Sequence, residues 1–304
     1  MKYFLFLSLL VTGLEASPLS IVPDRLVTPL VDIFSDKHKV ISDQIMGAKT
    51  SPYTKTGSIQ KGRGSFEMPI DKFLLAKKQS NAVYRMQPSQ HASSAQEGMI
   101  YMGTAFHIGD NLVLTNQHVL SPDRSNTTQC DGFQLLSNNN GETFSCKKVH
   151  HCDAEQDFCL IEMNPAKKCL NLFCTRSEIV ELKTGEALKL KANPHHQYDV
   201  MDTAVMSCIG NTMGMGIHFS QGRGVRVNGD RVYFFAPLRT GNSGGPLIGE
   251  DGLVWGVVKQ ESEIKVSNES YNVAVSMDKV IETLRDKLSD DAETFRKFNQ
   301  AIVE

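Results

Sequence analysis

Gly241-Asn242-Ser243-Gly244-Gly245-Pro246 sets one serine among three glycines. Glycine has no Cβ, so such a stretch turns tightly enough to aim consecutive backbone N–H groups at one point. A serine hydroxyl is a weak nucleophile alone. It needs a base to take its proton and donors directed at the oxyanion that forms as it attacks. The glycines answer the second need, and the first predicts a histidine, oriented by a carboxylate, elsewhere in the chain.

Both residue types occur upstream in strand-edge settings. Gly103-Thr104-Ala105-Phe106-His107-Ile108 leads through a turn into Leu112-Val113-Leu114-Thr115-Asn116-Gln117-His118-Val119, which puts His118 just past an apolar strand. A ring nitrogen at the mouth of a buried strand suits a positioned base. Asp157 directly precedes the run Phe158-Cys159-Leu160-Ile161-Glu162-Met163, so that strand would hold its carboxylate at a cleft edge. Asp153 is the rival, but it sits four positions earlier in a more polar segment. The order is His, Asp, Ser, with Asp157 39 positions after His118 and Ser243 a further 86 on.

Taken in that order, Gly-Thr-Ala-Phe, Thr-Asn-Gln-His-Val, Asp-Phe-Cys-Leu-Ile and Gly-Asn-Ser-Gly-Gly-Pro-Leu resemble the chymotrypsin-like serine proteases. The likeness is greatest to the bacterial branch with glutamyl endopeptidases and HtrA-type enzymes, and it spans roughly residues 80–286. It implies an all-β fold of two six-stranded antiparallel β-barrels, with a C-terminal helix and an N-terminal extension. His118 and Asp157 would come from the first barrel and Ser243 from the second. The resemblance further implies an oxyanion hole from the N–H groups of Gly241 and Ser243, a polypeptide substrate, and neither cofactor nor metal.

Specificity is expected from Ala236-Pro237-Leu238-Arg239 and Trp255-Gly256-Val257-Val258-Lys259, with Pro237, Leu238 and Val258 as pocket residues. No acidic residue stands where a Lys or Arg side chain would be bound, and Val258 replaces the histidine of glutamate-preferring relatives. An apolar or small side chain before the cut is therefore expected, with Arg239 and Lys259 as the cations that would hold a carboxylate instead. Asn242 departs from the trypsin branch, where an aspartate before the serine pairs with a newly cut N-terminus; an amide makes no such ion pair. The competing reading is a catalytically silent, protease-like binding protein.

The rest of the pattern agrees with a β protein. Short apolar runs at Ala82–Met86, Thr104–Ile108, Leu112–Thr115, Phe158–Met163, Val205–Ile209, Val232–Ala236, Leu253–Val258 and Tyr271–Val275 are separated by turn residues. Asp110-Asn111 is hairpin chemistry. After Ser276 the period changes to about 3.6, with Met277, Val280, Ile281, Leu284 and Leu288 on one face, which predicts a capped helix. A second helical stretch, Ala292–Ile302, reads as its extension.

The 304 residues, 40% hydrophobic, are ordinary for a globular protein, and a net charge of -2 gives no field to draw nucleic acid or an anionic membrane. Residues 1–16 read as an export signal: Lys2, the apolar run Phe4–Val11, then a more polar end with a small residue before Ser17. Residues 17–79 read as an N-terminal extension or propeptide, 80–286 as the protease domain and 287–304 as a helical tail. No later segment is long enough to span a bilayer, so a secreted or periplasmic protein free of the membrane is expected. Seven cysteines fit that compartment. Six fall between Cys130 and Cys174 with their pairing open, and Cys208, in an apolar run, reads as a buried free thiol. His150 and His151 beside that cluster suggest zinc, but the spacing matches no usual zinc framework.

Overall fold

The computed structural model describes residues 75–76, 78–88, 103–121, 130, 132–137, 142–169, 177–180, 182, 187–192, 204–214, 216–266 and 269–304, with short strands at Val31–Asp32, Thr56–Lys61 and Gly64–Pro69. The export signal read in residues 1–16 lies outside the described residues.

Six strands form the first barrel: β1 (Val83–Pro88), β2 (Gly103–Gly109), β3 (Leu112–Thr115), β4 (Phe133–Ser137), β5 (Thr143–Asp153) and β6 (Phe158–Met163). They close in the order β1-β2-β3-β6-β5-β4. Asp110 and Asn111, at φ 47° and 60°, make the β2–β3 hairpin turn in the left-handed conformation that short polar residues tolerate. Six more strands form the second barrel: β7 (Val205–Asn211), β8 (Ile217–Asn228), β9 (Arg231–Phe235), β10 (Pro246–Ile248), β11 (Val254–Val266) and β12 (Glu269–Ser276). Their order is β7-β8-β9-β12-β11-β10, with β10 closing the ring onto β7. Every pairing within the two rings is antiparallel, and the two rings share one wiring.

Alternation along these strands sorts their side chains into three cores. Barrel one is filled by Tyr84, Met86, Val113, Leu135, Phe144 and Ile161, among others, and barrel two by Met206, Val232, Phe234, Leu247, Trp255 and Val258. The third core lies between the barrels. Phe106, Leu114, Phe158 and Leu160 of the first meet Ile209, Phe219, Ile248 and Val257 of the second, and residues of the C-terminal helices join them. Strand β6 is buried on both faces because Cys159, Ile161 and Met163 point into barrel one while Phe158 and Leu160 point into the shared core.

A one-turn helix, α1 (Gln117–Leu120), follows β3. Helix α2 (Met277–Lys287) starts where Ser276 Oγ accepts the Lys279 N–H, and it buries Met277, Val280, Ile281 and Leu284. The expected continuation of this helix through Ala292–Ile302 is not what forms. Asp291 accepts the Thr294 N–H and starts a separate helix, α3 (Ala292–Asn299), and Ile302–Val303 is a strand. That strand runs parallel to Leu190–Lys191, which itself lies parallel to β11. Residues 287–304 thus enter the molecule's centre, with Phe298 and Ala301 in the shared core.

Disulfides join Cys130 to Cys146 and Cys152 to Cys159, both within barrel one. Cys208 is free and buried in barrel two, where loss of solvent pushes its thiol pKa far upward and leaves it inert. Among the described residues, no helix is long and apolar enough to cross a membrane.

Candidate active site

His118 sits in α1, immediately after β3, and Asp157 ends the β5–β6 turn. That turn is shaped by Asp153, whose Oδ1 accepts the N–H groups of Glu155 and Gln156 and whose carbonyl accepts the Asp157 N–H. Asp153 is therefore spent on the turn, while Asp157 is the carboxylate that faces the ring. Asp157 takes φ 66°, a left-handed conformation that aspartate adopts at modest cost. Three contacts hold it there. Its Oδ1 accepts the His118 backbone N–H at 2.9 Å, its Oδ2 lies 2.7 Å from His118 Nδ1, and its carbonyl accepts Asn116 Nδ2–H at 2.7 Å.

An ionised carboxylate only accepts, so the Nδ1 contact places the proton on Nδ1 and leaves the Nε2 lone pair available as a base. The ring is 31% exposed while the Asp157 side chain is 5% exposed, so the pair is open to a substrate on the histidine side alone. Behind it, Lys259 on β11 brings Nζ to 3.9 Å from Asp157 Oδ2, with 10% of its side chain exposed.

The serine loop comes from barrel two and is braced by barrel one. Thr104 on β2 donates its N–H to Ser243 O at 2.9 Å and its hydroxyl to Gly241 O at 2.6 Å, and that hydroxyl accepts the Asn211 N–H at 2.8 Å. Thr115 Oγ1 in turn donates to Thr104 O. Gly244, at φ 83°, packs so closely that a Cβ there would overlap Thr104 O and Thr115 Oγ1 and lie 3.1 Å from Asn116 N. The serine loop therefore presses on the strand end that leads to His118. On the other side, Gly244 N–H donates to Val258 O and Val258 N–H to Gly245 O.

Gly241, at φ 98°, adopts a conformation that a residue with a side chain rarely takes. Among the described residues, neither the Gly241 nor the Ser243 N–H donates to a protein acceptor, so both remain free to bind a ligand oxygen. Asn242 is buried and held by neutral partners: its Oδ1 accepts Thr212 Oγ1–H at 3.2 Å and its Nδ2 donates to Arg239 O at 3.0 Å.

Of the expected pocket residues, Pro237 and Leu238 are half-buried and Val258 is closed within the barrel-two core, where Leu238 packs against that core. Asn272 Nδ2 donates to Ala236 O and ties β12 to the segment carrying Pro237 and Leu238. Of the two cations weighed for substrate binding, Lys259 is turned to Asp157. The roles of Thr104 and Asn116, and the approach of Lys259 to Asp157, are not among the sequence expectations. Thr104 lies in a motif the sequence displays, but nothing in the one-dimensional pattern says that its hydroxyl crosses between barrels.

His150, weighed as a zinc ligand, serves elsewhere. It is 3% exposed, with Nε2 3.2 Å from Glu162 Oε2 and Nδ1 3.4 Å from Thr294 Oγ1 on α3. Burial first, then the charge of Lys148, lowers its pKa against the pull of Glu162 and Asp291. Four of the neighbouring cysteines are spent in the disulfides.

The family described as trypsin-like peptidase domain matches residues 103–257, which carry β2 through the start of β11 and all three candidate residues. No curated protein matches the chain. Among solved structures, the chain is similar to the serine endoprotease from Yersinia pestis at 17% identity and a TM-score of 0.49; the match covers 71% of this chain and 66% of that one. With the family match spanning half the chain, and two six-stranded barrels wired alike, this chain belongs to the trypsin-like peptidase domain family of chymotrypsin-like serine proteases.

Proposed function

We propose that this protein is an exported serine endopeptidase that cleaves peptide bonds through Ser243, His118 and Asp157. The observation that carries the reading is the buried Asp157 carboxylate bonded to both the backbone and the ring of His118, which leaves Nε2 as the free base. With a peptide bound, Ser243 Oγ attacks the scissile carbonyl carbon and its proton passes to His118 Nε2. The N–H groups of Gly241 and Ser243 receive the oxyanion. Collapse of the tetrahedral intermediate breaks the C–N bond, Nε2 gives its proton to the leaving amine, and an ester to Ser243 remains. Water then attacks that ester, its proton moves to Nε2 and on to Ser243 Oγ, and the carboxylic acid leaves. Asp157 keeps the ring in the required tautomer and stabilises the imidazolium at each transfer. Loss of one oxyanion donor in such sites costs about 100-fold to 1000-fold in turnover.

The two disulfides support export, since such bonds persist in oxidising compartments. We assign a domain from about residue 80 to 286, with residues 17–79 as a preceding extension; residues 287–304, expected as a helical tail, add a helix and a strand that pack onto it. Partners other than a polypeptide substrate are not required by this chemistry.

A fluorophosphonate probe tests the reading. The expected result is covalent labelling of Ser243, located by peptide mapping, together with cleavage of a diverse peptide library; both should vanish in Ser243→Ala. A folded, processed protein that neither reacts nor cleaves would make it a protease-like binding protein instead. The cleaved sequences in the same library would test the expected preference for apolar or small side chains.

A further inference from the structure

The catalytic reading above accounts for Asp157 and His118 but not for Lys259. Lysine is rarely buried, and Lys259, 8% exposed, lies on a strand whose preceding residue, Val258, exchanges backbone hydrogen bonds with the serine loop. Its position follows from that register. Val258 points into the barrel-two core, so the next side chain, on the opposite face, points towards barrel one and the β5–β6 turn. There its Nζ reaches 3.9 Å from Asp157 Oδ2, the oxygen that also receives His118 Nδ1–H at 2.7 Å.

We infer that Lys259 is a positioning residue whose ammonium offsets the charge of Asp157 and so lets His118 act as a base in more acidic surroundings. This rests on the reading of His118 as the base. The reasoning is electrostatic. Asp157 stabilises the imidazolium, and a second cation on the same carboxylate oxygen weakens that stabilisation. The neutral ring, which is the active form, then persists to lower pH.

Other charges lie around the β5–β6 turn, and Lys279 of α2 acts on Asp153 and Asp230 there. Asp153 and Glu155 lie on the β5–β6 turn, where Asp153 Oδ1 is engaged by turn N–H groups and Glu155 is exposed. Asp230, in the β9 hairpin, is held by Gln156 Nε2. Arg239 lies on the serine loop, with its carbonyl bound to Asn242. Among the described residues, Lys259 is the Lys or Arg side chain within ion-pair distance of Asp157. The two legs keep its ammonium within about 7 Å of Nδ1, close enough for about one pH unit of effect at the dielectric of a partly buried site.

The test is the pH profile of kcat/KM for wild type, Lys259→Met and Lys259→Arg, each normalised to the fraction of enzyme labelled by the serine probe. The acid limb of Lys259→Met should move up by about one pH unit, while Lys259→Arg should stay with wild type. Lys259→Gln carries the same neutralisation should the methionine variant fail to fold. Superimposed acid limbs in labelled enzyme would overturn the inference. So would an unshifted profile with a selective loss of cleavage after acidic residues, which would make Lys259 a substrate-binding cation. Failure of wild type to label would instead defeat the catalytic reading itself, so the two failures are distinct.

Discussion

Barrel one and barrel two repeat a single strand order, yet they hold their functional groups by different means. In barrel one, base and carboxylate are fixed locally: Asp157 bonds to the backbone and ring of His118 and to Asn116 across the adjacent strands β3 and β6. Two disulfides cross-link the same barrel, one of them joining β5 to β6 and the other tying the segment before β4 to β5. In barrel two, the serine loop is held from both sides, by Thr104 of barrel one and by Thr212 and β11 of its own barrel. Among the described residues no disulfide lies in that barrel, and Cys208 stays reduced in its core. The candidate base is thus positioned within one barrel, whereas the candidate oxyanion loop is braced in part by the other.

The largest expected effect touches the local half. Asp157→Asn should preserve the fold but present the wrong ring tautomer, lowering kcat by about 10⁴-fold in a steady-state assay. Equal activity in this variant would sever barrel one from the chemistry. Phe298→Ala should test the docked half, since Phe298 is fully buried between the barrels. Loss of about 3–5 kcal/mol in denaturant unfolding is expected. A change below about 1 kcal/mol would mean that the C-terminal helices are not needed to hold the barrels together.

The next effect is pH-dependent and belongs to barrel one. His107 is wholly buried in β2 with neither ring nitrogen bonded, and burial pushes its pKa down to about 4. The unfolded chain takes up a proton near pH 6.5 that the folded state refuses. Stability is therefore fully present above about 6.5 and is lost as pH falls towards 4, by about 3 kcal/mol once below it. His107→Leu should flatten that part of the stability profile; a profile with the wild-type slope would assign the acid loss elsewhere. The smallest effect is Thr104→Val, which strips the Gly241 carbonyl of its donor and the Asn211 N–H of its acceptor. Two unpaired buried groups should lower kcat by about 10-fold to 100-fold with little change in KM. Unchanged kcat would mean that barrel one does not hold the oxyanion loop.

Much of this arrangement is legible in one dimension, because the catalytic candidates lie at the ends of strands buried on both faces. Phe158–Met163 and Leu112–Thr115 have the expected bounds, and apolar runs of this kind need no partner to be recognised. Strand β5 escaped, since Lys147, Lys148, His150 and His151 break its alternation. The partners of Lys147, Lys148 and His150, namely Glu162, Asp291 and Thr294, come from other elements and make those three polar residues tolerable in a sheet. Strand β8 also escaped, because Gly222 and Gly224 look like turn residues. At Gly222 the Phe235 backbone approaches so closely that no side chain fits. The separation of α3 from α2 rests on a cap at Asp291 inside an apparently continuous helical pattern. The proximity of Lys259 to Asp157 is a meeting of residues 102 positions apart, and local periodicity carries no trace of it.

The central claim is that a base from one barrel and a nucleophile from the other act as one unit. A double-mutant cycle with His118→Ala, Ser243→Ala and the double variant, measured as kcat on a peptide identified from the library, tests it most directly. Each single variant should lose about 10⁵-fold to 10⁶-fold and the double variant no more than either. Losses that multiply in the double variant, or a His118→Ala rate near wild type, would contradict it.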